Sequence, residues 1–439
     1  MRKSDLELIH LALTMPEGSR RDVLRTFYSR IISSDFIRKV GETLITRILL
    51  IGIGLATSVI IARALGPGGR GLYAVAATIG AIGVQFGNLG LHASNTYSLA
   101  GKPELLPKLV INSLLVSLLF GGLGCVLFWG VLLLWPNLVQ IQGVLLILSV
   151  AWIPFGLAYL LFQNLLIGMQ DIRSYNLIEL GQKVLSLLML GGVVLLHAVT
   201  VESIYLTGLI SLVIGFVWAL RRLKTRLLPF PSPSVSLFKE NLRYGMKAYV
   251  AALFAFLVLR IDLLMIQYMR GAEETGFYSI AAGVADLVYL LPVIVGTILF
   301  PRLSAMSSDQ ERWDFARVVA RWVGLMMLFI AGVVALVAEP LVALLYGRSF
   351  LPAVPALIWL MPGIVMLSVN TIYMNYFASM GMPPITVYSP GAAAVLNVLL
   401  NIKLIPSLGI VGASIASTVA YGMMLAISLV YLVRGRLDP

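Results

Sequence analysis

Apolar positions run through this chain in long stretches unbroken by charge. No Asp, Glu, Lys or Arg occurs between Lys108 and Asp171, and none between Arg348 and Lys403. A helix needs about 20 apolar residues to cross roughly 30 Å of hydrocarbon, so each stretch is long enough for two crossings. Turn formers divide both near the middle, Trp135-Pro136-Asn137 in the first and Gly381-Met382-Pro383-Pro384 in the second. Each stretch therefore reads as a helical hairpin. The same reading along the chain predicts spans near 42–64, 71–95, 107–134, 143–166, 173–197, 203–220, 243–269, 275–300, 316–338, 353–379, 384–402 and 409–433. The expected fold is an all-α membrane protein of about twelve transmembrane helices.

The loops give an orientation. Of the 32 Lys and Arg, 24 fall on the side of the N-terminus, five on the other (Arg63, Arg70, Arg270, Arg348, Lys403) and three within spans. The positive-inside rule then places both termini in the cytoplasm. The division expected is a cytoplasmic N-terminal extension at 1–41, a first lobe at 42–223, a basic proline-bearing linker at 224–241 and a second lobe at 242–439 with a short tail. In the extension, Val23, Leu24, Phe27 and Ile31 share one helical face, with Arg20, Arg21, Arg25 and Arg30 elsewhere. That pattern suits a helix lying on an anionic leaflet and equally a solvated tail. Residues Met1 to Val40 lack the apolar core of a cleavable signal.

Composition agrees: 59% hydrophobic, 12% charged, mean hydropathy +0.94. A net charge of +12 would suggest nucleic acid in a soluble protein, but here the basic residues collect beside spans, so no nucleic-acid partner is expected. Cys125 alone excludes a disulfide framework or a thiolate metal cluster. His10, His92 and His197 lack metal-ligand spacing, and neither GxSxG nor GxxxxGK[ST] is present, so no catalytic residue, metal or cofactor is expected.

The two halves repeat. An offset of 205 residues lays Gly66, Gly71, Leu72, Tyr73, Val75, Ala76 and Ala77 over Gly271, Gly276, Phe277, Tyr278, Ile280, Ala281 and Ala282. The motif joins the first and second span of each half, so the repeat is parallel, and a substrate path is expected between two six-helix lobes. Gly66-Pro67-Gly68-Gly69-Arg70-Gly71 formally matches GxGxxG, but that fingerprint needs a strand before it and a helix after it in a βαβ unit.

An ionisable group inside a span is costly, and so marks a functional candidate. Six qualify: Arg47, Glu179, Lys183, Arg260, Asp262 and Asp286. Glu179 and Lys183 have the spacing of an intrahelical ion pair. Arg260 and Asp262, two apart, face different directions, and each needs a partner elsewhere. Gln85, Asn88, His92 and Asn95 form a polar stripe on the second span, suited to lining a cavity or to joining helices. Asn370, Asn375, Asn397 and Asn401 read mainly as packing.

Three stretches carry a resemblance: Ile61-Ala62-Arg63-Ala64-Leu65-Gly66-Pro67 through Gly71-Leu72-Tyr73, Leu259-Arg260-Ile261-Asp262 through Gly276-Phe277-Tyr278, and Leu299-Phe300-Pro301-Arg302-Leu303-Ser304. Over roughly residues 38 to 436 the chain resembles the Wzx-type polysaccharide biosynthesis flippases of the multidrug/oligosaccharidyl-lipid/polysaccharide exporter superfamily. The resemblance implies two MATE-like lobes and alternating access. It also implies transfer of an undecaprenyl-diphosphate-linked oligosaccharide across a bacterial or archaeal plasma (inner) membrane. Polymerase and glycosyltransferase partners would accompany such a protein, along with membrane lipids. A hydrated diphosphate cannot cross hydrocarbon unaided, so a cationic cleft of Arg47, Arg260 and Lys183 is expected to meet it. Asp262 and Asp286 would hold the arginines or bind a coupling proton or sodium, with Glu179, Gln85, Asn88 and His92 as further polar lining.

Three rivals compete with this reading. A cation-coupled drug exporter of the same superfamily would favour an acidic cavity. A major-facilitator transporter would carry a Gly-Arg-Arg/Lys signature where this chain has Leu99-Ala100-Gly101-Lys102-Pro103-Glu104. A saccharide polymerase or ligase would need a catalytic outer loop, whereas residues 339–352 hold one acid and no histidine.

Overall fold

Helices account for every described element of regular structure, as expected where backbone groups must bond within their own segment. The computed structural model describes residues 34–134, 141–224 and 233–437. The expected surface helix at 20–32, the turn at Trp135-Pro136-Asn137 and prolines Pro229 and Pro231 lie outside the described residues. The first lobe holds α1 (Ser34–Asn88), α2 (Leu91–Gly101), α3 (Leu106–Leu134), α4 (Gly143–Gly168), α5 (Ile172–Leu195) and α6 (Val201–Lys224). The second holds α7 (Val235–Arg270), α8 (Ala272–Ser304), α9 (Asp309–Leu336), α10 (Ala338–Leu345), α11 (Ala353–Ser379) and α12 (Ile385–Leu437).

Among the described residues, ten helices are long and apolar enough to cross a membrane. Two are of double length, with apolar stretches of 44 residues (Ile45–Asn88) and 50 residues (Ile385–Arg434). As straight helices they would measure about 66 and 75 Å, twice the hydrocarbon thickness. Each is divided by a glycine outside the helical region, Gly66 (φ 65°, ψ −177°) and Gly409 (φ 58°, ψ −138°). Ten helices thus supply twelve crossings.

Gly271, which separates α7 from α8, has φ 88° and ψ −176°. It matches Gly66 in a region that side chains rarely enter, so the sequence repeat is also a repeat of backbone conformation.

Several boundaries differ from the sequence reading, α1 starting at Ser34 rather than near 42 and α9 at Asp309 rather than near 316, and two further differences bear on the site. The second span does not end at 95. It breaks at Leu89 and Gly90 (φ 50° and 75°) and continues as α2 to Gly101. The seventh helix starts at Val235 rather than near 243, because Ser234 caps it, its hydroxyl accepting from the Leu237 amide at 3.3 Å. Asn112 of α3 pins the same residue, its amide bonding the Ser234 carbonyl at 2.9 Å and the Ser234 N–H at 3.0 Å. The basic residues Lys239, Arg243 and Lys247 are therefore helical.

Asp171, at the start of α5, accepts from Ser174 and pairs with Arg222 at 2.8 Å. Partial burial opposes its charge, but those contacts outweigh it and hold the carboxyl below its ordinary value. Large apolar side chains such as Leu118, Val126, Leu328 and Phe329 stand exposed around the lobes, the surface expected of a protein solvated by lipid.

Candidate functional site

A cavity of about 230 Å³ lies between the lobes, where α1 faces α7 and α8. Arg260 of α7 and Asp286 of α8 line it, paired at 2.8 Å and each roughly one-third exposed. Arg70 lines it from α1. Its guanidinium donates to the Ser279 hydroxyl at 3.2 Å and the Ser58 hydroxyl at 3.4 Å and lies 5.6 Å from the Tyr73 ring centre. No carboxylate pairs with Arg70 among the described ion pairs. The glycine-rich motif reads as a turn and places Arg70 in an external loop, whereas in the structure it is helical. The signal available was its place one turn beyond Gly66, already inside the second span.

Asp262 points elsewhere. It is buried at 2% exposure and accepts from the Tyr278 hydroxyl, the Leu263 amide at 2.8 Å and the Ser417 hydroxyl at 3.3 Å. Ser417 in turn receives the Asn397 amide at 3.2 Å, and Asn397 receives that of Asn401 at 2.9 Å. The carboxylate thus ends a buried chain of polar groups tying α7, α8 and α12, and the Asn401 carbonyl oxygen at its far end has no hydrogen-bond partner among the described residues. Asn370 accepts from Ser428, and Asn375 bonds back to Thr371, both contacts within the second lobe.

The predicted cationic trio does not assemble. Arg47 bonds Glu179 at 3.1 Å and the Tyr175 hydroxyl at 3.0 Å. It precedes Gly66 by roughly 28 Å of helix, whereas Arg260 precedes Gly271 by roughly 16 Å, so the two sit at different depths. Glu179 is therefore engaged across helices rather than with Lys183, which lies exposed on α5. The polar stripe of the second span is also divided. Asn88 and His92 bond one another across the break, Gln85 is half-buried, and Asn95 joins helices through Ser113 and Asn241. Among the described residues no group of three His, Cys, Asp or Glu side chains is placed to hold a metal.

The lobes touch on both sides of the cavity. At the face carrying Gly66 and Gly271, α1 and α8 meet backbone to backbone. A Cβ on Gly71 would stand 1.7 Å from the Ala272 carbonyl oxygen, and one on Gly276 would stand 1.9 Å from that of Pro67. Arg63 spans the lobes there, donating to the carbonyls of Leu345 at 2.8 Å and Leu344 at 2.5 Å at the end of α10. At the Ser234 face, Gly90 meets Gly245, and a Cβ on Gly90 would lie 2.7 Å from the Gly245 oxygen. There the Asn241 amide donates to Asn95 at 2.8 Å, Ser98 donates to Asn241 at 2.7 Å, and the Tyr249 hydroxyl donates to the Phe86 carbonyl at 3.0 Å. Tyr97 stacks on Tyr244, with ring centres 4.6 Å apart.

Residues 60–355 match the family described as polysaccharide biosynthesis protein. A curated relative, the probable low-salt glycan biosynthesis flippase of Haloferax volcanii, is 23% identical over 55% of this chain and 52% of its own length. The chain spans about half the length of the curated relatives it matches. In fold it is similar to an inward-facing multidrug resistance MATE family transporter of the MOP superfamily, with a TM-score of 0.73, 15% identity and coverage of 88% of this chain and 93% of that one. It is also similar to the lipid II flippase MurJ in an inward closed conformation, with a TM-score of 0.70, 14% identity and coverage of 90% and 87%. The all-α architecture is therefore MATE-like.

Proposed function

Because the chain belongs to the polysaccharide biosynthesis protein family, we propose that it is a membrane flippase. In this reading it carries an undecaprenyl-diphosphate-linked oligosaccharide from the cytoplasmic to the outer leaflet by alternating access. The observation that carries it is the Arg260–Asp286 pair in the cavity between the lobes. A diphosphate leaving water needs positive, directional partners, and a guanidinium supplies two parallel donors. Asp286 holds Arg260 in place until the headgroup arrives, and Arg70 offers a second guanidinium, held by two hydroxyls and the Tyr73 ring. Two cations against one carboxylate favour an anionic headgroup over a cationic drug.

The excess of Lys and Arg supports assigning the Ser234 face to the cytoplasm of a bacterial or archaeal cell, with the Gly271 face outside. The chain from Asp262 to Asn401 is the proposed coupling element, taking up a proton or sodium as the lobes rearrange. No bond-making chemistry is assigned to the protein. Glycosyltransferases would supply its substrate and a polymerase would consume it.

The test is appearance of the lipid-linked saccharide on the outer leaflet at matched membrane abundance. Arg260→Ala should stop transport, and Arg260→Lys should restore only part, since lysine keeps the charge and loses the planar fork. Normal transport by Arg260→Ala would remove the cationic-cleft mechanism.

A further inference from the structure

The Ser234 face carries a second recess that the cavity between the lobes does not explain. A hollow of about 830 Å³ opens between the end of α2, the start of α3 and the start of α7. Its lining is mixed, with the polar and charged Ser98, Lys102, Lys108, Ser236 and Glu240 set among Tyr97, Leu105 and Leu237, whereas a neighbouring groove is almost wholly apolar. That groove, of about 170 Å³, lies on the other side of the Asn112–Ser234 double hydrogen bond. Leu115, Val116, Leu119 and Phe120 of α3 form one wall, and Pro233, Val235 and Phe238 form the other. Leu115 and Leu119 are 39% and 62% exposed, so the groove opens sideways to lipid.

The two recesses share a wall and differ in chemistry as the two ends of one amphipathic molecule do. The polar hollow falls within the 300–1,000 Å³ usual for ligand sites and far exceeds the groove beside it. It therefore fits a bulky head on a slender chain better than the small head of a two-chain phospholipid. Lys102 and Lys108, both exposed, can meet phosphate. The ring of Tyr97, braced by its stack on Tyr244, offers an apolar platform to a sugar ring, and Glu240 offers an acceptor for its hydroxyls. Ser98 belongs both to this hollow and to the hydrogen-bonded closure with Asn241.

Resting on the flippase reading, we propose that this paired recess is a docking site where a polyprenyl-diphosphate-linked saccharide waits in the cytoplasmic leaflet. Its head lies in the polar hollow and its isoprenoid chain in the α3–α7 groove. A head seated there lies against the closure that separates it from the cavity between the lobes.

The experiment uses the full chain in detergent, with undecaprenyl diphosphate, inorganic pyrophosphate and phosphatidylglycerol as probes in native mass spectrometry. Undecaprenyl diphosphate should bind, and a Lys102→Glu/Lys108→Glu variant should lose about tenfold or more in affinity. Leu119→Trp, which fills the groove, should weaken binding with the charges intact. Pyrophosphate should bind far more weakly than the lipid. A photoreactive p-benzoylphenylalanine in place of Leu115 should capture the lipid, and one in place of lipid-exposed Leu328 should not. Unchanged affinity in both variants would overturn the site, as would equal retention of phosphatidylglycerol. Transport separates this site from the function it rests on. Variants that flip with wild-type affinity remove the site alone, whereas a chain that binds here and never moves the lipid removes the flippase reading alone.

Discussion

At the Gly271 face the lobes meet through backbone, and at the Ser234 face they meet largely through side chains. The first contact obeys the repeat: adding 205 to Pro67 and Gly71 gives Ala272 and Gly276, so each half presses the same atoms on the other. The second does not, since Gly90 and Gly245, or Asn95 and Asn241, are unrelated by that offset. Closure through backbone has no adjustable part, because neither carbonyl can rotate away from an added Cβ. Closure through amides, two hydroxyls and stacked tyrosines can be weakened one group at a time, and it borders the polar hollow at Lys102 and Lys108. The halves diverged where substrate is proposed to arrive and stayed alike on the opposite side.

The sharpest way to break this comparison is Gly276→Ala. A Cβ less than 2 Å from the Pro67 oxygen must force α1 and α8 apart, so the Gly271 face should stay open and transport should cease. In a Cys125→Ala background, a Ser279→Cys reporter should then label faster with a membrane-impermeant maleimide. Unchanged labelling with full transport would show that the glycines do not close that face.

Gly245→Ala should act less severely, because its Cβ would lie 2.7 Å from the Gly90 oxygen rather than under 2 Å. Reduced transport and faster labelling of a Ser98→Cys reporter are expected, and a complete block would make the two closures equally rigid. Asn241→Ala removes two hydrogen bonds and leaves Asn95 short of a donor, a cost of about 1–3 kcal/mol to the closed Ser234 face. Double electron–electron resonance between labels on α2 and α7 should show a broadened, longer distance. The smallest effect is expected from Arg63→Ala, an exposed cation at the C-terminal end of α10 that should contribute no more than about 1 kcal/mol. A loss of transport above about tenfold would make this arginine part of the closure rather than a brace upon it.

Hydropathy made the spans legible because the cost of exposing backbone to lipid leaves few alternatives to helix. Span 353–379 is the extent of α11, and the glycine motif located both Gly66 and Gly271. What sequence hid was direction around each helix axis. Arg47 and Arg260 look alike as intramembrane cations, yet Arg47 meets a carboxylate 132 residues away while Arg260 borders the cavity. Glu179 had a plausible neighbour at Lys183, and tertiary packing supplied a better one in Arg47. The break at Leu89 and Gly90 carried no proline and became intelligible only with Gly245 packed against it.

The reciprocal contact of Pro67 with Gly276 and Ala272 with Gly71 also bears on ancestry. Position i of one half touching j of the other, with j touching i in return, defines an isologous interface, the contact that closes a C2 homodimer. A six-helix forebear carrying one copy of the motif would have joined its twin through these same glycines. The segment between Lys224 and Ser234 then acts as a covalent tether on two former protomers. Such a tether would leave each half free to change alone, and the 205-residue offset indeed sets Leu55 and Thr57 of the first half against Arg260 and Asp262 of the second.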